Sequence, residues 1–134
     1  MDNYVMYHDH SDISNLTAGT GADSITKYQD YIDYAQQLGM KAMAISEHGS
    51  VMNWIKKKAS MEKAGLKYIH ANEVYLTQHL DKEKGLIRDN FHYMMIAKNY
   101  DGVLELNKLT SNSFNREDGH YYYNPRITFD EMKA

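Results

Sequence analysis

With 134 residues, 43% of them apolar, the chain is long enough to form one domain with a buried core. A net charge of −3 gives no overall basic footprint, so nucleic acid would have to be held locally or through metals, and the absence of cysteine excludes disulfides and thiolate metal sites. No leader pattern is visible and no stretch approaches the roughly 20 apolar residues of a membrane span, so we expect a cytoplasmic protein that does not contact membranes.

The first predicted element is a short strand, "YVMY", at residues 4–7. His8 and His10 follow at its end. Residues two apart on an extended chain point to the same side, so both imidazoles can converge on one point beyond the strand. Histidine is a common metal ligand, and this pattern indicates a metal site.

The second element is a helix over residues 24–39, which Asp23 or Ser24 caps at the start and Gly39 ends. Its apolar residues recur at helical spacing, which predicts one buried face made of Ile25, Tyr28, Ile32, Ala35 and Leu38. The run "MKAMAIS" at residues 40–46 is short and bounded, as is typical of a buried strand.

A second helix is predicted over residues 51–65, with Gly65 at its end. We expect Val51, Trp54 and Ile55 to face inward and the run from Lys56 to Lys58 to face largely outward, because charge runs are usually solvated.

The second half continues with strands and one long helix. Strands are predicted at residues 67–77 and 91–99, separated by a polar segment at 78–90, and a helix follows at 100–114. Near the end, Thr128 and Glu131 have the spacing of a helix capping box.

Alternation of strands and helices predicts an α/β fold of about four βα units with parallel strands. In such folds, functional sites collect at the C-terminal ends of the strands. Each of the four predicted strands offers ligand-type residues. His8 and His10 end the first strand, Glu47 and His48 end the second, Glu73 lies in the third, and His92 begins the fourth. Imidazole and carboxylate suit zinc, manganese and iron, and bridging carboxylates can hold two ions for the hydrolysis of phosphate esters.

The motifs "HDHS", "AISEHGS", "NEVYL", "FHYMMIAKN", "LNKLTSNSF" and "YYYNPRITF" occur in this order. Together they resemble the polymerase and histidinol phosphatase (PHP) domain found at the N-terminus of bacterial DNA polymerase III alpha subunits. The resemblance implies that residues 1–134 form the N-terminal portion of a distorted seven-stranded βα barrel. It also implies up to three divalent ions at the rim and phosphodiester hydrolysis, in some members as a proofreading 3′ to 5′ exonuclease.

The resemblance implies that His8, His10, Glu47, His48, Glu73 and His92 are metal ligands. Glu47 stands where the family usually has aspartate, and Glu73 matches the bridging carboxylate. The family's remaining ligands come from strands that would follow Ala134. We therefore expect one or two ions here, of manganese, zinc or iron.

Two classes of function follow. In the first, the chain is part of a metal-dependent phosphoesterase that reaches single-stranded DNA through its metals. In the second, it is an inactive structural or interaction module. In both, an incomplete barrel leaves sheet edges and apolar surface that need covering, by a complementary polymerase fragment, by self-association or by a local rearrangement.

Overall fold

Short strands and four helices make up the part of the chain that the computed structural model describes, residues 4–17, 22–81 and 89–134. The helices of this part are α1 (Tyr28–Gln37), α2 (Trp54–Lys63), α3 (Tyr100–Ser113) and α4 (Phe129–Lys133), with a 3₁₀ helix at Asp12–Leu16. Its strands are β1 (Ala42–Met43), β2 (Lys67–Tyr68), β3 (Ala71–Thr77), β4 (Phe91–Ile96), β5 (Tyr121–Tyr122) and β6 (Asn124–Thr128). None of the helices in these ranges is both long and apolar enough to span a bilayer.

The strands form two sheets that combine parallel and antiparallel pairs. β1 and β2 pair in parallel, and the larger sheet has the order β4-β3-β6-β5. Within it, β3 is parallel to β6 but antiparallel to β4, and β5 is antiparallel to β6. The α/β class with parallel strands is therefore confirmed, whereas the expectation that all strands are parallel is wrong at β4.

The antiparallel placement of β4 has a sequence cause. A parallel crossover normally carries a helix between its two strands. The segment between β3 and β4 is polar and lacks the apolar spacing of a helix that could pack on the sheet. The predicted polar segment falls partly on residues 82–88, which lie outside the described residues.

Two strand predictions need correction, and β6 was missed. The strand predicted at residues 4–7 is reduced to one parallel bridge between Met6 and Met43. The single strand predicted at residues 67–77 is two strands, because β2 pairs with β1 whereas β3 joins the larger sheet. β6 was not predicted, because it contains Pro125, and proline argues against a central strand.

The first helix begins later than its sequence predicts. α1 starts at Tyr28, where the Asp30 carboxylate accepts a hydrogen bond from the backbone N–H of Lys27 at 3.2 Å. The caps predicted at Asp23 and Ser24 are therefore wrong, and Ile25, predicted to be buried, is 88% exposed because it precedes the helix. Gly39 has a φ of 70°, as expected of a residue that ends a helix.

Helix α2 lies in a different rotation from the predicted one. Ile55 is 65% exposed, whereas Lys57 is only 2% exposed, so both predictions are wrong. Trp54, Lys57 and Met61 share one face, since residues three and four apart lie on the same side of a helix. Met61 is fully buried in the core, which carries Lys57 inward with it.

Two hydrophobic clusters hold the described part of the chain together. The first joins α1 and α2 to β1 and consists of Ile32, Ala35, Met40, Met43, Ile45, Met61 and Leu66. The second joins β3, β6 and α3 and consists of Val74, Leu76, Leu106 and Ile127. β1 packs in the first cluster and β3 in the second. Hydrophobic packing therefore holds both strands, and with them the ends that carry the candidate ligands, in place.

The predicted capping box of α4 is confirmed and is tied to a buried histidine. Glu131 accepts hydrogen bonds from the backbone N–H and hydroxyl of Thr128 at 2.7 and 2.8 Å. His120 lies between two carboxylates, with Nδ1 2.7 Å from Asp118 and Nε2 2.8 Å from Glu131. Burial alone would lower the pKa of His120, but the hydrogen bonds to Asp118 and Glu131 outweigh it and raise the pKa.

We expect His120 to stabilise the fold at acidic to neutral pH. Since its folded-state pKa is raised, its contribution is complete below the unfolded pKa of about 6.5 and is lost as pH rises through the folded value. Urea unfolding at several pH values should show this decline in the wild type, and His120→Gln should remove that component. Identical pH dependence in the two proteins would contradict the assignment.

Candidate metal centre

The chain after Met6 runs beside the residues that follow β1. This brings His8 and His10 close to the C-terminal end of that strand. The Ala44 N–H donates to the Met6 carbonyl at 2.8 Å, and the Ser46 N–H donates to the Asp9 carbonyl at 3.1 Å. These two hydrogen bonds pair the segment after Met6 with the residues that follow β1, in the parallel direction. They place the first histidine pair next to the segment that carries His48.

The segment that carries His48 is fastened directly to β3 at Glu73. His48 and Glu73 form a parallel bridge, in which the Gly49 N–H donates to the Glu73 carbonyl at 2.8 Å. Gly49 has a φ of 57°, and a Cβ at this position would lie 2.6 Å from Cγ of Pro125. Only glycine fits this approach without a shift in the backbone or the proline.

Four imidazoles surround the carboxylate of Glu73, which is 2% exposed. Its Oε2 lies 3.4 Å from Nε2 of His8, 3.0 Å from Nε2 of His10 and 3.0 Å from Nδ1 of His48. Its Oε1 lies 2.7 Å from Nδ1 of His92, which β4 supplies. The structure therefore brings together five of the six residues that the sequence predicts as ligands.

Packing fixes the rings of this cluster, and two of its members remain open to solvent. The rings of His10 and His48 stack with centroids 4.0 Å apart, and Tyr75 packs edge-on against His92 at 4.9 Å. The side chains of His8 and His92 are 47% and 53% exposed. An ion or a ligand can therefore reach Glu73 from the side of these two histidines.

The donor set fits a divalent cation. Glu73 Oε2 and His48 Nδ1 are buried and have no hydrogen bond of acceptable geometry to any described residue, although nitrogen and oxygen atoms lie close to them. Two ligands of one ion, each about 2.1 Å from it, are about 3.0–3.4 Å apart at octahedral or tetrahedral angles. The three distances at Oε2 fall in this interval, and imidazole with carboxylate suits zinc, manganese or iron.

The electrostatics of the cluster favour a charged carboxylate. Burial alone would raise the pKa of Glu73, but the imidazoles of His10 and His48 outweigh it and hold the pKa well below its usual range. The proximity of Glu73 raises the pKa of His48, against the effect of burial. Glu73 is thus ionised at neutral pH, as a metal ligand must be.

Glu47 does not join this cluster, which corrects its assignment as a ligand. Its carboxylate is fully buried and accepts hydrogen bonds from Lys57 Nζ at 2.5 Å and from Ser14 Oγ at 2.5 Å, as well as from Ser11. Adjacent residues of an extended chain point to opposite sides, so Glu47 faces away from His48's side. Glu47 therefore contacts Lys57 and the two serines rather than the candidate metal ligands.

Sequence reasoning missed three residues near the site. Asp23 was expected only as a helix cap, but its Oδ2 lies 3.0 Å from Nε2 of His48. Asp23, His10 and His48 form a further group whose ligand atoms lie within 4.8 Å of one another. Lys57 and Ser14 were missed as well, although the helical spacing from Trp54 to Met61 already placed Lys57 on the inner face.

Asp9, next to both histidines, is also buried. Neither of its carboxylate oxygens has a hydrogen-bond partner among the described residues. Burial, and to a smaller extent Glu47, raises its pKa to about 7. His70 is buried too, but it does not take part in the cluster. Its Nδ1 lies 2.7 Å from the Tyr68 hydroxyl and its Nε2 lies 3.0 Å from the Asn107 amide oxygen.

Comparison with known families and proteins gives a consistent result. The family model of the PHP domain matches residues 7–134. The DNA polymerase III subunit alpha of Borreliella burgdorferi is 34% identical over 133 residues, and that of Helicobacter pylori is 30% identical over 126 residues. These alignments cover 97% and 94% of this chain but only 11% and 10% of the relatives, so the chain spans about a tenth of their length.

Among solved structures, an amidohydrolase from Chromobacterium violaceum with bound sulfate and no metal has a similar fold. The TM-score is 0.51, with 15% sequence identity, over 81% of this chain and 34% of the amidohydrolase. At this identity the likeness concerns the fold alone.

We predict that the Lys57–Glu47 pair is required for stability. Lys57→Met leaves a buried carboxylate without its cation, which should lower the free energy of unfolding by about 3–5 kcal/mol. Lys58→Met, on the exposed side of the same helix, should change it by less than about 0.5 kcal/mol. Chemical denaturation measures both.

The double variant Lys57→Met/Glu47→Gln tests whether the pair itself is responsible. Because it leaves no unpaired charge, it should recover about 0.5–3 kcal/mol of the loss, the usual coupling of directly contacting residues. Strictly additive losses would show that the two residues act separately.

Proposed function

We propose, because this chain belongs to the PHP domain family, that it is the metal-binding portion of a phosphoesterase related to the DNA polymerase III alpha subunit. The observation that carries this proposal is the convergence of His8, His10, His48 and His92 on the buried carboxylate of Glu73. Five ligand-type side chains at one point, two of them open to solvent, are what metal-dependent hydrolysis needs.

In this proposal Glu73 is the bridging ligand. One ion would be held by His8, His10 and Glu73, and a second by His48, Glu73 and His92, since the ligand atoms of each group lie within 4.8 Å of one another. Bound manganese, zinc or iron would activate a water molecule and stabilise negative charge on a phosphate. Asp23 lies beside His48. It can either act as a ligand together with His10 and His48, or accept a hydrogen bond from Nε2–H of His48.

The neighbouring residues orient these ligands. Tyr75 packs against His92 and also stacks with His48 at 6.1 Å. Burial raises the pKa of the Tyr75 hydroxyl to about 12, so it stays neutral and adds no competing charge. Gly49 and the bridge to Glu73 hold the backbone, so the carboxylate and His48 keep a fixed relation.

We further propose that additional polypeptide completes the site, in the form of the rest of a PHP barrel on the same or a separate chain. β4 lies at one edge of the larger sheet, and Phe91, Tyr93 and Ile96 on it are about half exposed. An apolar, unpaired edge strand of this kind invites pairing. Between β4, α3 and α4 there is also a groove of about 680 Å³ lined partly by Met95, Leu106 and Met132.

An inactive interaction module is the second candidate, and the same edge and groove favour it. In that case metal would still bind, but completion of the barrel would bring no hydrolysis. The substrate that we propose for the active form is single-stranded DNA, cleaved from its 3′ end.

The metal proposal predicts a difference between two histidines. His10→Ala should release most of the bound metal and abolish thermal stabilisation by manganese or zinc, because it removes a ligand of an ion that Glu73 also binds. His79→Ala, outside the cluster, should retain both. Elemental analysis and thermal unfolding measure these effects, and equal metal content in the two variants would overturn the ligand assignment.

The activity proposal predicts a dependence on completion. With manganese, residues 1–134 alone should degrade a single-stranded DNA oligonucleotide little or not at all. Addition of the remaining part of a related PHP domain should produce 3′ to 5′ cleavage that Glu73→Gln abolishes. Hydrolysis that Glu73→Gln leaves intact would contradict the proposed site, whereas metal binding without any hydrolysis would favour the interaction module.

A further inference from the structure

Tyr75 lies on the same face of the larger sheet as the candidate metal ligands. It follows Glu73 by two positions on β3, so the two side chains point to the same side of the strand. In the antiparallel pair with β4 it lies directly opposite His92. Its ring packs edge-on against that imidazole, with centroids 4.9 Å apart. The side chain of Tyr75 is therefore a neighbour of the carboxylate that the imidazoles surround.

The ring of Tyr75 is fixed by the groups around it. The ring of His48 stacks nearly parallel to it, with centroids 6.1 Å apart and an interplanar angle of 19°. On another side lies Gly49, where a Cβ would be 3.2 Å from ring atom Cε2. Tyr75 is only 4% exposed, so little space is left for its ring to move. Packing of this kind holds a polar group at the end of a side chain in one position.

The hydroxyl of Tyr75 makes no hydrogen bond to any residue of the described part of the chain. It is also not one of the fully buried polar atoms that lack a partner there, so its oxygen reaches solvent although the ring is buried. The carboxylates of Glu73 and Asp23 are close enough to act electrostatically on it. Because buried tyrosines usually pair their hydroxyl groups, a fixed hydroxyl without a protein partner beside two site carboxylates is available to a ligand.

We propose that the Tyr75 hydroxyl donates a hydrogen bond to a non-bridging oxygen of a phosphate group bound at the metal centre. The inference rests on the proposed function, since it takes phosphate as the group that binds beside Glu73. A phenolic O–H supplies a donor without adding charge. A hydrogen bond to an ionised acceptor such as phosphate is shorter and stronger than one between neutral groups.

This donor complements what the ligands themselves can offer. An imidazole that binds an ion gives its lone pair to the ion and directs its ring proton to a partner outside the site. An ionised carboxylate such as that of Glu73 only accepts hydrogen bonds. Tyr75 thus contributes an O–H that neither kind of ligand provides. A donor held in place before the reaction also stabilises the charge that builds up on phosphate when water attacks.

Inorganic phosphate is the probe that tests this contact. Tyr75→Phe keeps the ring that packs against His48 and His92 and removes only the hydroxyl. In protein loaded with zinc and freed of excess ion, this variant should keep the zinc content of the wild type. By titration calorimetry it should bind phosphate roughly 10- to 150-fold more weakly, the loss expected for one hydrogen bond to a charged group. Tyr93→Phe is the matched control and should bind phosphate normally, because Tyr93 adjoins His92 but lies opposite Val74, on the other face of the sheet.

A second measurement needs no variant protein. In zinc-loaded protein with ¹³Cζ-labelled tyrosine, added phosphate should shift the NMR signal of Tyr75 and leave that of Tyr93 in place. An unshifted Tyr75 signal at saturating phosphate, or wild-type phosphate affinity in Tyr75→Phe, would overturn the inference and leave the metal site standing. The same holds if the zinc-loaded wild type binds no phosphate. A wild type that retains no zinc would refute the proposed function, and this inference with it.

Discussion

The carboxylate of Glu73 is the constraint on which the rest of the described structure depends. It is buried on β3, and a buried carboxylate must be paired or must bind a metal. Imidazoles from the segment after Met6, from the segment after β1 and from β4 all turn toward it. Elements from both hydrophobic clusters therefore meet at one charged group.

A second buried charge supports the first without sharing its ligands. Glu47 follows the strand that leads to His48, and it pairs with Lys57 on the opposite side of the backbone. Because adjacent residues alternate sides, one short segment supplies His48 to the metal cluster and Glu47 to the pair with Lys57. Hydrogen bonds from Ser11 and Ser14 then join Glu47 to the loop that carries His10.

The sequence predicts most of the cluster and less of its surroundings. His8, His10 and His48 were identifiable from their places at predicted strand ends, which need only local spacing, and Glu73 and His92 from the resemblance of their motifs to the PHP domain. The role of Glu47 was not, since its partner depends on the rotation of α2. The run of three lysines suggested a solvated face, whereas the helical spacing of Trp54 and Met61 turns Lys57 inward. The antiparallel β4 and the strand containing Pro125 required knowledge of long-range pairing, which local patterns do not contain.

The most direct test of this account is a crystal structure of the protein with manganese, measured with anomalous scattering. We expect an anomalous peak within about 2.3 Å of a carboxylate oxygen of Glu73, at the group formed with His8 and His10. A second peak, at the group formed by Glu73 with His48 and His92, is expected when both ions are bound. An ordered cluster in saturating manganese without a peak at Glu73, or with peaks only elsewhere, would contradict the claim that this carboxylate is the shared metal ligand.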